Sequence, residues 1–338
     1  MVNYFQQVSR NIKFFYQYYL RKTVCNYPPL VLMVEPTTYC NLKCRVCSHK
    51  DMKREKGSMS FPTFKRIIDN NYNILQRLWL YYLGEPLLAK DLAKMISYAH
   101  NHNIRIKINT NATLLDEEMS YALIDSGLDI ISFSFEGYDK EFYETVREGA
   151  DLESTFKNIK KFIEIRNRLK EKTLTYLEII DFGITGEKLK KNIKSLSSRL
   201  GVDRISIVPL HRWPTKENIW DEKDFIRDDN RSRRYQHCIM PWVMLGILWD
   251  GRVTACCDDF EGNFIVGDVN QTPHIMDIWN NKKMVYLRKS LINKDFQSIP
   301  TCKYCEKLFT TSFSYPVKEY VKRELCELKN KIWNGRTK

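Results

Sequence analysis

The sequence has no long hydrophobic run, no secretion signal and little glycine or proline. Its longest uncharged apolar stretch, Trp242 to Trp249, is far shorter than the roughly 20 residues that a membrane-spanning helix needs. Arg10 and Lys13 interrupt the apolar residues of the N-terminus, so we predict no signal peptide. With 13 Gly, 11 Pro and 43% hydrophobic residues in 338, the composition excludes collagen-like and disordered classes. We expect a globular, cytoplasmic protein of one large domain with an accessory module, or of two modest domains.

Acidic residues are outnumbered, 41 against 54 basic ones, which gives a net charge of +13. Such an excess suits a nucleic acid, an anionic membrane surface or a phosphorylated substrate. The basic residues are spread along the chain instead of forming one run, and a lysine-rich composition raises the isoelectric point without any polyanionic partner. We therefore predict no nucleic-acid partner.

Cysteine, in contrast, is abundant. Ten cysteines without a secretion signal indicate metal or redox chemistry instead of a disulfide framework. Three of them share one short segment and two others form a C-x2-C pair, so two metal centres are arithmetically allowed. We predict that Cys25 and Cys326, which have no partner at ligand spacing, are small buried residues. The remaining cysteines are Cys40, Cys44, Cys47, Cys238, Cys256, Cys257, Cys302 and Cys305.

Strands and helices alternate six times between residues 30 and 213, which predicts an α/β fold with parallel strands, either an open doubly wound sheet or a full or partial barrel. The predicted strands are Leu30 to Glu35, Arg77 to Tyr82, Ile104 to Asn109, Asp129 to Phe135, Leu174 to Asp181 and Arg204 to Pro209. The predicted helices are Pro62 to Asn71, Asp91 to Asn101, Asp116 to Ser126, Lys140 to Arg147, Leu152 to Leu169 and Glu187 to Leu200.

Polar side chains follow every predicted strand, where parallel β/α folds carry their chemistry. The first strand is followed by the three clustered cysteines, and later strand ends carry candidates for contact with a ligand or for proton transfer. These later residues are Gly84, Glu85, Asn109, Thr110, Asn111, Ser134, Glu136, Glu178, Asp181, His211 and Arg212.

The periodic pattern stops at residue 214, so we place a linker over 214–237 between a core domain, 30–213, and a Cys-rich α+β domain, 238–310. Within the latter, Trp242 to Val253 is predicted to form a β-hairpin with its turn at Asp250-Gly251. Residues 311–338 are predicted to form a basic helix. The amphipathic segment 1–29 either packs on the barrel, which we favour, or lies on a membrane or a partner.

The segment CNLKCRVC presents three thiols, one fewer than a closed zinc site or a four-iron cluster requires, so one coordination position stays open. The alternative is a zinc site completed by His49 or a distant cysteine. The longer stretch VEPTTYCNLKCRVC resembles the radical S-adenosylmethionine (radical SAM) superfamily. The resemblance implies that Cys40, Cys44 and Cys47 hold a 4Fe-4S cluster whose fourth iron binds SAM.

Three further segments and one arginine resemble motifs of the same family. Tyr82-Leu83-Gly84-Glu85-Pro86 resembles its Gly-Gly-Glu-Pro motif, with Leu83 in place of the first glycine, and implies that Gly84 and Glu85 bind the SAM amino group. Ala112 replaces a usual glycine after Asn111, and Glu136 replaces a usual aspartate after Ser134. The resemblance implies that Asn111 and Ser134 contact the ribose or carboxylate of SAM, and that Arg147 corresponds to a family arginine near the cofactor.

The later cysteines resemble the auxiliary-cluster domain called SPASM, in its four-cysteine twitch form. This resemblance implies a second 4Fe-4S cluster held by Cys238, Cys256, Cys302 and Cys305. A structural zinc ribbon is the alternative that the spacing alone leaves open. Cys256 is preferred over Cys257, because adjacent side chains on an extended strand point in opposite directions. The fold implied by both resemblances is a partial (β/α)6 TIM-type barrel with a small auxiliary-cluster domain.

The resemblance implies that reduction of the first cluster cleaves SAM to a 5′-deoxyadenosyl radical that abstracts hydrogen from a substrate. We expect a two-electron oxidation of a small-molecule or sugar-type substrate, including phosphorylated forms, with electrons from a donor such as flavodoxin or ferredoxin. The alternatives are a peptide-modifying maturase and, from another class, a zinc-stabilised binding protein without turnover. Peripheral membrane contact is not favoured.

Overall fold

Six parallel strands, of which the first five are each followed by one or two helices, form the centre of the computed structural model, which describes residues 4–136, 139–182, 187–210 and 234–310. This confirms the predicted alternation and the partial barrel. The strands are β1 Val31–Val34, β2 Arg77–Leu80, β3 Arg105–Thr110, β4 Ile130–Ser134, β5 Leu174–Asp181 and β6 Arg204–Pro209. The helices are α1 Tyr4–Tyr19, α2 Phe61–Asn71, α3 Leu92–Asn101, α4 Glu117–Asp125, α5 Lys140–Val146, α6 Leu152–Leu169 and α7 Glu187–Leu200.

The pattern of β3 shows why these residues form a sheet with two different faces. Ile106 and Ile108 are fully buried, whereas Arg105, Lys107 and Asn109 are only half-buried on the opposite face. Apolar side chains therefore pack beneath the helices, and polar ones line the concave side. Helix starts follow the sequence as well: the Asp116 carboxylate accepts a hydrogen bond from the Met119 N–H at 2.7 Å and caps α4.

The C-terminal part, residues 234–310, is a mixture of short strands and helices. The predicted hairpin is present, but it begins at Met244, because Trp242 and Val243 belong to a short helix instead. Gly251 has a φ of 95° in its turn, which suits glycine. The elements are β7 Arg234–Tyr235, α8 Met240–Val243, β8 Met244–Ile247, β9 Arg252–Thr254, β10 Ile265–Asp268, α9 Ile275–Trp279, α10 Lys282–Ile292, α11 Pro300–Lys303 and β11 Phe309–Thr310.

One sheet runs through both parts of the chain. Its nine strands are ordered β10-β9-β8-β1-β2-β3-β4-β5-β6. β8 pairs in parallel with β1, with Val31 opposite Met244 and Val34 opposite Ile247. The sequence did not indicate this pairing. It brings the end of β1 next to the end of β8, where the Glu35 N–H donates to the Ile247 carbonyl at 2.9 Å.

The N-terminal segment is tied to the C-terminal part by hydrogen bonds and aromatic packing. The Tyr18 hydroxyl donates to the His237 carbonyl at 2.9 Å, and the Trp242 indole N–H donates to the Lys22 carbonyl at 2.8 Å. The Trp279 indole N–H donates to the Tyr27 carbonyl at 2.8 Å. The aromatic rings of Tyr18, Tyr27, Trp242 and Trp279 belong to one continuous hydrophobic core, which also contains β1 and the buried isoleucines of β3.

Some predicted features lie outside the described residues, namely His211, Arg212, Cys326, the greater part of the 214–237 linker and the basic helix over 311–338. Cys25 is fully buried, as predicted. Among the helices that the structure describes, none combines the length and the apolar character that crossing a bilayer requires.

Candidate active site and metal centres

Cys40, Cys44 and Cys47 lie together on the loop that leaves the carboxyl end of β1. The loop is fastened to the end of α5, because the Lys43 N–H donates to the Glu148 carbonyl at 2.9 Å and the Arg45 N–H donates to the Val146 carbonyl at 2.8 Å. We call residues 36–49 the cluster loop. Its anchorage fixes the three thiols in a partly enclosed space beside the concave face of the sheet.

Burial and mutual repulsion oppose ionisation of these thiols in the protein alone. The pKa of Cys40 is raised to about 11 and that of Cys47 to about 12, mainly by burial, and repulsion from the neighbouring thiols contributes to both increases. Burial also raises the pKa of Cys44. Because a bound metal centre deprotonates its thiol ligands, three such thiols suit a cationic cluster that compensates their charge.

The surroundings of the thiols fit an iron-sulfur cluster. Backbone N–H groups of Leu42 and His49 donate to Cys40 and Cys47 respectively. The Ser48 hydroxyl, beside Cys47, is buried without a hydrogen-bond partner in the part of the chain that the structure describes. The cluster loop thus offers three thiols, N–H donors and a spare hydroxyl. Ser48 is not among the residues that the sequence motifs predict.

A single zinc ion suits this loop less well. The sulfurs of a tetrahedral zinc site stand roughly 4 Å apart. Within the described residues, three ligand atoms lie within 4.8 Å of one another at Cys256, Cys257 and Asp258, but not at the cluster loop. His49, the alternative fourth zinc ligand, instead places its Nε2 2.6 Å from the Thr38 carbonyl oxygen.

Gly84 is required by packing against the cluster loop. A Cβ at this position would lie 2.3 Å from the Thr37 carbonyl oxygen and 2.8 Å from that of Tyr39, and both neighbours are backbone atoms. The next residue, Glu85, donates its N–H to the same Tyr39 carbonyl at 2.8 Å. Residues 84 and 85 therefore hold the first part of the cluster loop.

The Glu85 carboxylate is buried and accepts three hydrogen bonds, from the Thr110 hydroxyl at 2.6 Å, the Asn111 N–H at 2.8 Å and the Leu87 N–H at 3.1 Å. Burial raises the pKa of Glu85, and these hydrogen bonds act in the opposite direction. A carboxylate has about four acceptor positions, so one remains for a ligand.

Asn111 is part of a small amide network at the end of β3. Its Nδ2 donates to Asn41 Oδ1 at 3.0 Å, and its Oδ1 accepts from the Thr113 N–H at 2.9 Å. Ala112 adopts a left-handed φ of 60°. Ala112 therefore adopts a backbone conformation that glycine adopts more readily than alanine.

Arg147 and Glu136 form a buried bidentate ion pair. The Nε and Nη2 of Arg147 lie 2.7 and 2.8 Å from the two oxygens of Glu136, and Nη1 lies 4.0 Å from Cys44 Sγ. Burial opposes the positive charge, but the Glu136 carboxylate outweighs this and raises the pKa of Arg147. Arg147 therefore faces a cluster-loop thiol, and Glu136 is engaged in the ion pair.

Ser134 leads into a polar chain on the concave face. Its hydroxyl donates to Asn109 Oδ1 at 2.9 Å, the Asn109 amide donates to Glu178 Oε1 at 3.0 Å, and Lys107 Nζ lies 3.7 Å from Glu178 Oε2. The Ser132 hydroxyl, opposite Asn109 in the register, is fully buried without a partner in the described part of the chain.

Aromatic rings surround the Lys107 cation on this face. Its Nζ lies 5.7 Å from the centroids of Trp79 and Tyr81 and 5.8 Å from that of Tyr176, and the Trp79 and Tyr81 rings are stacked at 5.9 Å. Arg204 lies 5.7 Å from the Tyr176 ring. The sequence analysis missed these rings, although Trp79 and Tyr81 have the alternation typical of one strand face.

The C-terminal cysteines come together in space. The pKa values of Cys302 and of Cys305 are both raised to about 12, mainly by burial, and the Cys305 thiol contributes to the increase at Cys302. Burial also raises the pKa of Cys238, which is raised further by Cys305 and Cys302. A hydrogen bond to Cys257 raises the pKa of Cys256 most, followed by burial, and Cys238 acts on the same thiol. The four predicted ligands therefore share one neighbourhood.

Cys257 and two charged residues adjoin this neighbourhood. The Cys257 thiol lies 3.8 Å from Asp258 Oδ1, and Lys307 Nζ lies 2.6 Å from Asp258 Oδ2. Asp258 N–H donates to Cys256 Sγ at 3.3 Å. The preference for Cys256 over Cys257 stays a prediction, which the interaction between Cys238 and Cys256 supports.

The two cysteine regions are connected by Tyr82, directly before the Leu83-Gly84-Glu85 segment. Its hydroxyl donates to the Cys256 carbonyl at 2.8 Å and lies 3.3 Å from that of Asp259. Leu83 packs with Met52 and Phe260. The leucine that replaces a family glycine thus belongs to the contact between the two regions.

Two family models match most of the described chain. Residues 34–196 match the radical SAM superfamily, and residues 238–306 match an iron-sulfur cluster-binding domain. The chain is 23% identical over 283 residues to the S-adenosyl-L-methionine-dependent 2-deoxy-scyllo-inosamine dehydrogenase of Niallia circulans, covering 82% of this chain and 93% of that protein.

Two other similarities bear on the fold and on shorter segments. The chain is 36% identical over 131 residues to the probable GTP 3′,8-cyclase of Methanococcus maripaludis, so the match covers 38% of this chain and only 44% of that relative. The structure of Streptococcus suis SuiB bound to its precursor peptide SuiA is similar in fold, with a TM-score of 0.60, 14% identity, and coverage of 85% of this chain and 72% of SuiB.

Proposed function

The chain belongs to the radical SAM superfamily and is a radical SAM enzyme with a C-terminal iron-sulfur domain, and we propose that it oxidises a small-molecule or sugar-type substrate by two electrons. The observation that carries the proposal is the concave face, where a cation among aromatic rings adjoins the polar chain Ser134, Asn109 and Glu178. The similarity to a dehydrogenase over most of both chains supports the same reaction type.

The residues that would hold the first cluster are Cys40, Cys44 and Cys47, with Arg147 contributing through its contact with Cys44. We assign the remaining acceptor position of Glu85 to the SAM ammonium group, and Gly84, Asn111 and Ser134 to further contacts with SAM. Bound together and reduced by one electron, the cluster and SAM supply a 5′-deoxyadenosyl radical that abstracts a hydrogen atom.

Oxidation of an alcohol by two electrons also releases a proton and a second electron. Glu178 is the carboxylate we assign as proton acceptor, because it is partly exposed on the concave face, whereas Glu136 is fully buried against Arg147. The second electron needs an acceptor, and Cys238, Cys256, Cys302 and Cys305 are the residues that would hold an auxiliary 4Fe-4S cluster. An electron donor such as flavodoxin or ferredoxin is required for the first step.

The substrate we propose is a ring-shaped molecule with an anionic group, such as a phosphorylated sugar. The concave face presents Lys107, 3.7 Å from Glu178, and Arg204, 5.7 Å from the Tyr176 ring, as cations for an anionic group. The stacked faces of Trp79 and Tyr81 suit the C–H face of a saturated ring, while the polar chain suits hydroxyl groups.

The first experiment compares iron and sulfide content after anaerobic reconstitution. Wild type should bind about eight irons, and the triple variant Cys40→Ala, Cys44→Ala, Cys47→Ala about four, with no release of 5′-deoxyadenosine. Cys25→Ala is the matched control, because Cys25 is a fully buried thiol that belongs to neither group of predicted ligands, and it should retain the wild-type iron content. A wild-type protein that contains zinc instead of the second set of irons would remove the auxiliary cluster from the proposal.

The second experiment identifies the substrate class by deuterium transfer into 5′-deoxyadenosine from deuterated sugars, sugar phosphates and nucleotide-linked sugars. Lys107→Met should raise KM for an anionic substrate by about tenfold or more. Lys65→Met is the control, because Lys65 has the same kind of environment on the outer surface, 2.6 Å from Asp69 and 5.0 Å from the Tyr98 ring. Transfer from a neutral sugar alone, unaffected by Lys107→Met, would contradict the anionic substrate.

Peptide maturation is the second candidate, because the fold is similar to that of SuiB in complex with a peptide. Deuterium transfer from a labelled peptide, with none from the sugars, would favour it. The alternative of a zinc-stabilised protein without turnover is set aside, since the chain belongs to an enzyme superfamily.

A further inference from the structure

Helix α1 is fixed to the rest of the protein along one side. Phe14 and Tyr18 are buried, and their rings lie 5.9 Å apart, with Tyr18 in edge contact with Trp242 at 5.6 Å. At its end, the Lys22 N–H donates to the Gln17 carbonyl at 2.9 Å, while Arg21 adopts a left-handed φ of 54°. The left-handed residue and this hydrogen bond terminate the helix, so α1 has a fixed orientation on the protein.

That opposite side exposes large apolar residues. Ile12, Tyr16, Tyr19 and Leu20 recur at helical spacing, so they lie along one arc of α1 and the turn that follows it. Each is between 51% and 63% exposed, and Val24, just beyond, is 59% exposed. We call these five residues the α1 stripe. A contiguous exposed stripe of this kind marks an interaction surface.

The charged residues of the segment that carries the α1 stripe all have one sign. No Asp or Glu occurs before Glu35, so the first 34 residues contain only basic charges. Lys13, Arg21 and Lys22 are exposed beside the stripe, and none of them forms an ion pair with any residue that the structure describes. The surface is therefore apolar at its centre and positive at its margin.

We infer that the α1 stripe binds the surface of an anionic lipid bilayer. Apolar side chains enter the boundary between headgroups and acyl chains, tyrosines favour that boundary because they combine an apolar ring with a hydroxyl, and basic residues are attracted to anionic headgroups. Because the first 34 residues contain no acidic side chain and Lys13, Arg21 and Lys22 are exposed, charge complementarity favours anionic lipid over a protein partner or a second copy of this basic chain. The helix would lie parallel to the bilayer, with Phe14 and Tyr18 still on the protein.

The test is co-sedimentation of the full-length, reconstituted enzyme with phosphatidylcholine vesicles, with and without phosphatidylserine. We expect binding to the anionic vesicles that weakens at high salt. The triple variant Ile12→Ser, Tyr16→Ser, Leu20→Ser should lose binding to the anionic vesicles. The double variant Lys13→Gln, Arg21→Gln should bind them more weakly, by about fivefold for each charge removed. Tyr72→Ser, Leu169→Ser is the matched control, because these residues are 50% and 40% exposed at the ends of α2 and α6.

Release of 5′-deoxyadenosine and the thermal midpoint serve as folding controls for every variant, since α1 lies outside the cluster loop and the concave face. Absence of wild-type binding to anionic vesicles would overturn the inference, as would equal binding by the stripe variant. A wild-type dimer that dissociates in the stripe variant, without vesicle binding, would assign the surface to a second copy. The inference is independent of the proposed oxidation, because vesicle binding needs no substrate.

Discussion

Ala112 is a non-glycine residue in a left-handed backbone conformation beside the candidate site. Its left-handed φ of 60° costs a non-glycine residue about 1–2 kcal/mol, partly offset by the greater unfolded-state entropy of glycine. Ala112→Gly should therefore raise the free energy of unfolding by up to about 1 kcal/mol, measured by urea titration of the anaerobic protein. Ala122→Gly, in the right-handed helix α4, should lower it by about 1 kcal/mol. Two changes of the same sign would contradict the argument.

The ion pair of Arg147 with Glu136 predicts a strong and non-additive response. Arg147→Met leaves the fully buried Glu136 without its partner, so the free energy of unfolding should fall by about 3–5 kcal/mol. Adding Glu136→Gln should recover about 1–2 kcal/mol of this loss. Denaturant titrations of both single variants and the double variant measure the coupling.

Lys140→Met provides the exposed comparison, because Lys140 lies 3.7 Å from Glu144 on the surface, and its effect should stay within about 0.5 kcal/mol. Independent, additive effects of Arg147→Met and Glu136→Gln would show that the pair is not a unit. Iron content of the same variants reports on Cys44, the third member of the contact.

At the scale of secondary-structure elements, the cluster loop depends on Gly84. Gly84→Ala would push a Cβ to 2.3 Å from a backbone oxygen of the loop, and backbone cannot swing away as a flexible side chain does. We expect the variant to lose at least about half of its iron on reconstitution, since the displaced loop would hold one of the two proposed clusters. Iron quantification and 5′-deoxyadenosine release measure this. Unchanged values for both would show that the loop tolerates the shift.

Elements with strong periodicity were predictable, and contacts between distant elements were not. The alternation of Ile106 and Ile108 with Arg105 and Lys107 predicts β3 because burial on one face is a local pattern. The same reasoning found the hairpin near Gly251, but not that β8 pairs with β1, because an apolar strand does not specify its neighbour. Likewise, motifs identified Arg147, while its pairing with Glu136 depends on the fold.

At the scale of the whole molecule, one hydrophobic core joins α1, the parallel strands β1 to β5 and the C-terminal part, residues 234–310, and one sheet joins the last two. Phe14, Ile106 and Trp279 belong to the same hydrophobic core, and β8 continues the sheet at β1. We therefore expect a single cooperative thermal transition by calorimetry of the cluster-free protein, with equal calorimetric and van't Hoff enthalpies. Two separated transitions, with the predicted boundary near 214–237 as the cleavage site in mild proteolysis, would show independent domains.

The pairing of β1 with β8 also has a consequence for synthesis on the ribosome. β1 emerges early, but the strand that covers its free edge is made some two hundred residues later. At translation rates of about 5–20 residues per second, that edge waits about 10–40 s for its partner. During this interval the edge of β1 that later pairs with β8 has unpaired backbone N–H and carbonyl groups, a few residues before the thiols of Cys40, Cys44 and Cys47. We therefore expect a chaperone that covers this edge to compete with iron delivery to the three thiols.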